Sequence, residues 1–354
     1  MMKLSFKHKP FSLHSELAAL LCLLLALGAF CAWLTPAITP KRHDYGAVWG
    51  MYLEEPEHSL DVMFFGSSLA YCDVVPALLY EDTGATSFVM AGPAQSLPVT
   101  YRYLRESCKT QSPRTVFIEF SQPSGVFEGK ESQFIKVNLT YMPYSWERLI
   151  PVMEETAGAE RLGLLFPPYA YHDRWDKLTA ADWQGYAPDP LAGYTFLDEV
   201  RPAGAVFPTA SLPEEDPDSY AYSLGYARKM VDFCREQGIT PVFYLTPTVK
   251  QAPAPWRARI AADLAGMGVA FIDFNDEFAA IGLDLSLDFY DASHFNYRGA
   301  VKFTHYLANR LEGYLTPAAP ADPTLWQGRV EHFHQLCKEA DAAPVQYPAE
   351  DKEG

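Results

Sequence analysis

Positive charge is scarce in this 354-residue sequence. Its 28 lysines and arginines stand against 44 aspartates and glutamates, a formal net charge of -16. Nucleic-acid binding needs a basic footprint, so that class of partner is excluded. Neither a Gly-x-Gly-x-x-Gly nor a Walker sequence occurs, and no nucleotide cofactor is expected. The six cysteines show no metal-ligand spacing, so no metal is expected either. Internal repeats and low-complexity blocks are also missing. Long apolar runs are absent except for one.

That run is Leu17 to Leu34, unbroken by any charge. About 18 residues is the lower end of a membrane span, and longer than the usual apolar region of a cleaved signal. Lys3, Lys7, His8 and Lys9 precede it and favour a cytoplasmic N-terminus, while Lys41 and Arg42 follow and reduce the asymmetry. Cys31 does not read as a lipoprotein site, because Phe30 stands where a small residue is wanted. Residues 1–40 are therefore expected to be a cytoplasmic stub and transmembrane anchor, with the remainder extracytoplasmic. That setting permits disulfides but does not pair Cys72, Cys108, Cys234 and Cys337. Cys72 reads as a buried thiol.

After a Pro- and Gly-rich linker, strands alternate with helices. Strands are expected at Asp61–Phe65, Thr86–Met90, Arg114–Phe120, Thr240–Thr246 and Val269–Phe274. The third is apolar apart from Glu119, as a strand buried on both faces should be. Pro76 marks a helix start and Gly84 its end. The expected fold is α/β, a doubly wound five-stranded parallel sheet in a three-layer α/β/α arrangement. The pattern lapses between Gly125 and Asp218, a stretch rich in aromatics and prolines and too long for a plain loop. It reads as an insertion or lid over the sheet edge. Most of its aromatics are expected to pack a small core of their own, with the exposed ones available as a sugar-stacking cleft. Arg174, Trp175 and Asp182 are candidate substrate contacts, with a structural ion pair within the insertion at least as good a reading, and His172 and His305 read as ordinary surface or packed histidines. The residues from 313 to 354 read as a tail, helical around Trp326 to Cys337.

Two loops carry chemistry. Gly66-Ser67-Ser68 follows the first strand, where an α/β sheet places its ligands. A serine hydroxyl is a weak nucleophile that needs a base, and the base needs an orienting group. Asp291-Ala-Ser-His294 lies just before the last helix and supplies both within one loop. Asn296, two residues on, is placed to pin that loop. Alone, Gly-Ser-Ser is an ordinary turn and Asp-x-x-His an ordinary surface pair. Together, at opposite ends of one α/β domain, they point to a serine nucleophile with its base and orienting group.

Gly66-Ser67-Ser68, Gly92 and Asp291-Ala-Ser-His294 resemble three of the four blocks of the SGNH (GDSL-like) hydrolase superfamily. The likeness is nearest to membrane-anchored extracytoplasmic members related to the teichoic-acid D-alanylation and alginate O-acetylation proteins. It covers residues 60–125 and 218–312, leaving 126–217 as the insertion. The resemblance implies Ser68 as nucleophile, His294 as base and Asp291 as its orienter. It implies an oxyanion hole from the N–H groups of Ser68 and Gly92. The third block departs from the family, because no Gly-x-Asn follows the third strand. Gln95, Ser121, Gln122 and Asn296 are the remaining candidates for a third donor or a substrate contact. The implied substrate is an acylated envelope glycan or a small acyl ester, and the implied partner a membrane-bound O-acyltransferase. The departure leaves a non-catalytic, glycan-binding scaffold subunit as the alternative.

Overall fold

A computed structural model describes residues 13–43, 45–121, 132–208, 217–318, 320 and 322–347. The described chain divides into two compact units, 1–41 with 157–185 and 42–156 with 186–354.

The larger unit is built on a five-stranded, all-parallel sheet. Its strands are β1 (Val62–Gly66), β2 (Ser87–Ala91), β3 (Thr115–Glu119), β4 (Thr240–Leu245) and β5 (Ala270–Asp273). The order is β2-β1-β3-β4-β5. All five expected strands are present, each within a residue or two of its expected ends. Register aligns Gly66 with Ala91, Glu119 with Tyr244 and Leu245 with Asp273, so the carboxyl ends share one edge. The order reverses direction at β1 and β3, which makes their carboxyl ends the switch point where such sheets bind ligands.

Side chains alternate across the strands, and both faces are buried. One face carries Val62, Phe64, Val89, Phe117, Val242 and Tyr244. It packs beneath α2 (Pro76–Thr83), α9 (Tyr297–Arg310) and the C-terminal α10 (Pro323–Ala342). Phe64 and Phe117 stack across β1 and β3, 4.8 Å between ring centres. The other face carries Met63, Phe65, Met90, Ile118 and Phe243, on the side of α3 (Leu97–Ser107) and α7 (Pro217–Gln237), and α8 (Ala254–Gly266) packs on β5. Pro76 opens α2, and Gly84 closes it in the left-handed region at φ 75°.

Two segments are more deeply integrated than their composition suggests. Trp326, Val330 and Phe333 are buried, so α10 is part of the core. Its apolar residues recur every three or four positions, and Asp322 caps it through the Leu325 N–H. Residues 189–195 line the free edge of β2, where Val89 N–H donates to Ala192 O at 2.9 Å. This contact satisfies a backbone group that an edge strand otherwise leaves open. The rest of the former gap in the pattern includes α4 (Ser132–Thr140) and α5 (Trp146–Glu155).

The smaller unit joins α1 (Leu13–Ile38) to α6 (Gly158–Leu165) and a chain of short turns ending at Trp183. Within α1, Glu16–Ile38 is long and apolar enough to cross a membrane, with mean hydropathy 2.5. Arg174 pairs with Asp182 at 2.8 Å, and Asp182 closes a capping box with Thr179. Of the two histidines read as ordinary, His172 bonds the Tyr169 carbonyl and His305, in the larger unit, pairs with Asp82. All six cysteines are unpaired thiols, and Cys72 is buried.

Candidate active site

The site begins at the last residue of β1. Gly66 has φ 151°, and a Cβ there would lie 2.6 Å from Glu119 Cβ, so only glycine lets β1 and β3 approach this closely. Ser67 follows in extended conformation and caps a four-residue helical turn, Ser68–Tyr71. Its hydroxyl accepts from Leu69 N–H at 3.4 Å and donates to Glu119 Oε2 at 2.8 Å. Ser67 is thus buried and committed to structure, whereas Ser68 is half-buried.

Ser68 Oγ lies 2.7 Å from His294 Nε2. On the far side of the ring, His294 Nδ1 lies 2.8 Å from Asp291 Oδ2 and 2.9 Å from Oδ1. A carboxylate only accepts, so Nδ1 carries a proton toward Asp291, which in the neutral ring leaves the Nε2 lone pair facing the serine hydroxyl. Burial acts to raise the Asp291 carboxyl, but the His294 ring and the backbone N–H groups of Ser293 and His294 outweigh it and hold the pKa below the usual range. Those two N–H groups bond Asp291 Oδ1 at 2.7 and 2.9 Å.

The loop is fixed from three sides. Phe289 and Phe295 form an antiparallel bridge around it. Asn296 caps α9 through Arg298 and Gly299 N–H, and its own amide donates to the carbonyls of Glu199 and Leu287. Its hydrogen-bonding capacity is spent on holding the loop, so it is not a substrate donor. Asp73, wholly buried after the Ser68 turn, accepts Phe295 N–H at 3.1 Å. This bond ties the serine segment directly to the residue after His294.

Two further carboxyls lie behind the turn. Burial raises the pKa of both Glu119 and Asp73, that of Asp73 well above the usual range, against the smaller opposing pull of their hydrogen bonds. Sequence inspection singled out Glu119 but passed over Asp73. The available signal was a lone acid inside the apolar run Leu69-Ala-Tyr-Cys-Asp-Val-Val75.

The β2 loop brings Gly92 to the same edge. Its N–H makes a long bond, 3.4 Å, to Gly66 O. A Cβ on Gly92 would lie 2.0 Å from Asn138 Oδ1 and 2.9 Å from Gln95 Oε1. Gln95 is buried and donates to Thr100 Oγ1 at 3.0 Å. Ser121 N–H bonds Glu119 Oε1 at 2.5 Å. Gln122 lies outside the described residues. Asn138, buried on α4, bonds the Pro93 carbonyl at 3.2 Å. It was missed as a site neighbour because it is remote in sequence and reads there only as an Asn-x-Thr sequon. Among the described residues, no group of three or more histidine, cysteine or acidic side chains is arranged to hold a metal ion.

No protein-family profile and no curated protein matches the sequence. A solved structure from Bacteroides fragilis, described as a "putative acylhydrolase", aligns with 72% of this chain and 88% of its own. The identity is 14% and the TM-score 0.36, so the functional argument rests on the side chains alone.

Proposed function

We propose that this chain is a membrane-anchored serine esterase or O-acyltransferase, with Ser68 as nucleophile, His294 as general base and Asp291 as its orienter. The observation that carries the reading is the unbroken contact series Ser68 Oγ–His294 Nε2 at 2.7 Å and His294 Nδ1–Asp291 Oδ2 at 2.8 Å. Such a series lets a neutral imidazole take the hydroxyl proton as the oxygen attacks.

In this scheme Ser68 Oγ adds to the acyl carbonyl and His294 Nε2 receives the proton. Asp291 stabilises the imidazolium through Nδ1–H. The N–H of Ser68, at the start of its helical turn, and that of Gly92 are assigned to the oxyanion. Collapse of the intermediate passes the proton from His294 to the departing alcohol and leaves an ester on Ser68. Water, or a sugar hydroxyl, then attacks that ester by the same route in reverse. Gly92 N–H is loosely held by Gly66 O, and a 3.4 Å bond is weak enough to exchange for a developing oxyanion.

The span Glu16–Ile38 supports anchoring. The basic N-terminal residues favour a cytoplasmic N-terminus and an extracytoplasmic site. An anchored acyl-transfer site on that side is suited to an acylated envelope glycan, with a membrane-bound O-acyltransferase as the acyl supplier. The test is a fluorophosphonate serine label and p-nitrophenyl acetate hydrolysis on the full chain in detergent. Ser68→Ala should abolish both, and His294→Ala should slow both by about 100-fold or more. Labelling that survives Ser68→Ala refutes the assignment. A folded wild-type chain that never labels favours the non-catalytic subunit.

A further inference from the structure

The smaller unit has an unusual surface. Between residues 158 and 183 Asp173, Asp176 and Lys177 are exposed, and beside them several large apolar side chains also face out. Arg174 is held by Asp182 and the Ile38 carbonyl. Asp182 is also held by Thr179. In contrast, Trp175 is 73% exposed and Trp183 45% exposed, and Leu162, Leu165, Phe166 and Tyr169 are exposed as well. Single exposed apolar residues are ordinary, but six within one short segment form a patch that requires an explanation.

The segment is fastened to the C-terminal end of α1. Trp183 packs on Trp33, 4.4 Å between ring centres. Arg174 Nη1 donates to Ile38 O at 2.5 Å, and Lys41 Nζ donates to the carbonyls of Ala181, at 3.1 Å, and Gln184. The turn Pro167–Ala170 also packs against α1. The Ile38 carbonyl belongs to the last helical turn, which lacks intrahelical donors. Near a bilayer that group needs a protein partner more than it does in water, and Arg174 provides one.

The depth of this attachment follows from the helix rise. From Leu17 to Trp33 the axis climbs roughly 24 Å, at about 1.5 Å per residue. The hydrocarbon core of a bilayer is about 30 Å thick. Trp33 therefore sits near the outer boundary of the core, and Trp183, in ring contact with it, sits at the same level. Tryptophan and tyrosine favour this zone because each has an apolar body and a polar tip.

We propose that residues 158–183 form a collar lying in the headgroup layer of the membrane, with Trp175, Trp183, Phe166 and Tyr169 inserted among the lipids. The occupant of the exposed aromatic patch is the lipid surface. The collar clamps the end of α1 at a fixed depth. This proposal rests on α1 spanning the membrane.

The experiment is tryptophan quenching on the full chain in phosphatidylcholine nanodiscs. One lipid series carries a nitroxide on the headgroup, and aqueous acrylamide is the opposing quencher. Trp33→Phe, Trp175→Phe and Trp183→Phe are compared with wild type. Each substitution should remove part of the nitroxide-quenched emission, and the Trp175→Phe chain should lose little of the acrylamide-quenched emission. If only Trp33→Phe removes nitroxide-quenched emission, α1 is in the bilayer and the collar is not, which overturns the proposal alone. If none of the three does so, the spanning reading of α1 falls with it. A collar that instead docks a protein would leave Trp175 and Trp183 quenched by acrylamide in these lipid-only discs, which also overturns it.

Discussion

Replacing Gly92 by alanine tests the packing beside the serine without touching a reacting side chain. The new Cβ would fall 2.0 Å from Asn138 Oδ1 and 2.9 Å from Asn138 Cγ. Such distances force Asn138 to move, because its helix is held in place by Tyr103 Oη donating to the Asn138 carbonyl at 2.5 Å. Inserting a methyl into a packed site costs about 1–3 kcal/mol. Loss of the Asn138–Pro93 hydrogen bond adds about 1 kcal/mol. The expected destabilisation is about 2–4 kcal/mol, read by urea unfolding of the detergent-solubilised chain. Asn138→Ala alone should cost about 1–2 kcal/mol, since it loses the bond but introduces no clash. In the double variant the clash is gone and the shared bond is lost only once, so its cost should fall short of the sum by about 2–4 kcal/mol. Additivity within about 0.5 kcal/mol would show that Asn138 is not seated on Gly92.

Two other substitutions separate scaffold from chemistry. Ser67→Ala removes the donor to buried Glu119 and a weak helix cap, at a cost of about 2–3 kcal/mol by thermal or urea unfolding, yet it should leave fluorophosphonate labelling within a few-fold of wild type; abolished labelling in a folded variant would make Ser67 the reacting serine. Asp73→Asn keeps an oxygen for Phe295 N–H but cannot ionise. The folded Asp73 carboxyl has a raised pKa, so the native state holds its proton longer than the unfolded chain, and stability declines as pH rises from about 4 toward the folded pKa. The melting-temperature advantage of Asp73→Asn over wild type should therefore widen from pH 4 to pH 8. Depression of the Asp291 pKa acts in the opposite sense but is common to both chains and cancels in the difference. An unchanging gap would contradict a raised pKa for the buried Asp73 carboxyl.

The parts of this molecule that follow local rules were legible in its sequence. All five strands were marked by short apolar runs between turn residues, and Pro76 and Gly84 marked the ends of α2 because each has a fixed backbone preference. Ser68, Asp291 and His294 were legible as a set because two of them share one loop and the third lies in the turn that follows the first strand. Asp73 and Asn138 were not, since their roles exist only after folding brings them to Phe295 and Gly92. The C-terminal helix was partly visible in its Trp326, Val330 and Phe333 spacing, but proline and alanine before it disguised its place in the core. The stretch from 158 to 183 was the least legible. Its aromatics suggest either a private core or a sugar-binding cleft, and only the Trp33–Trp183 contact and the Arg174–Ile38 bond tie it to the apolar helix.

On the proposed function, Ser68 is the nucleophile and His294 activates it. The most direct measurement is mass-spectrometric mapping of the fluorophosphonate adduct on the full-length chain, with labelling rates for wild type and His294→Ala. A single adduct on Ser68 is expected, forming about 100-fold or more faster in wild type than in His294→Ala. An adduct on Ser67 or elsewhere, or a Ser68 rate indifferent to His294, would contradict it.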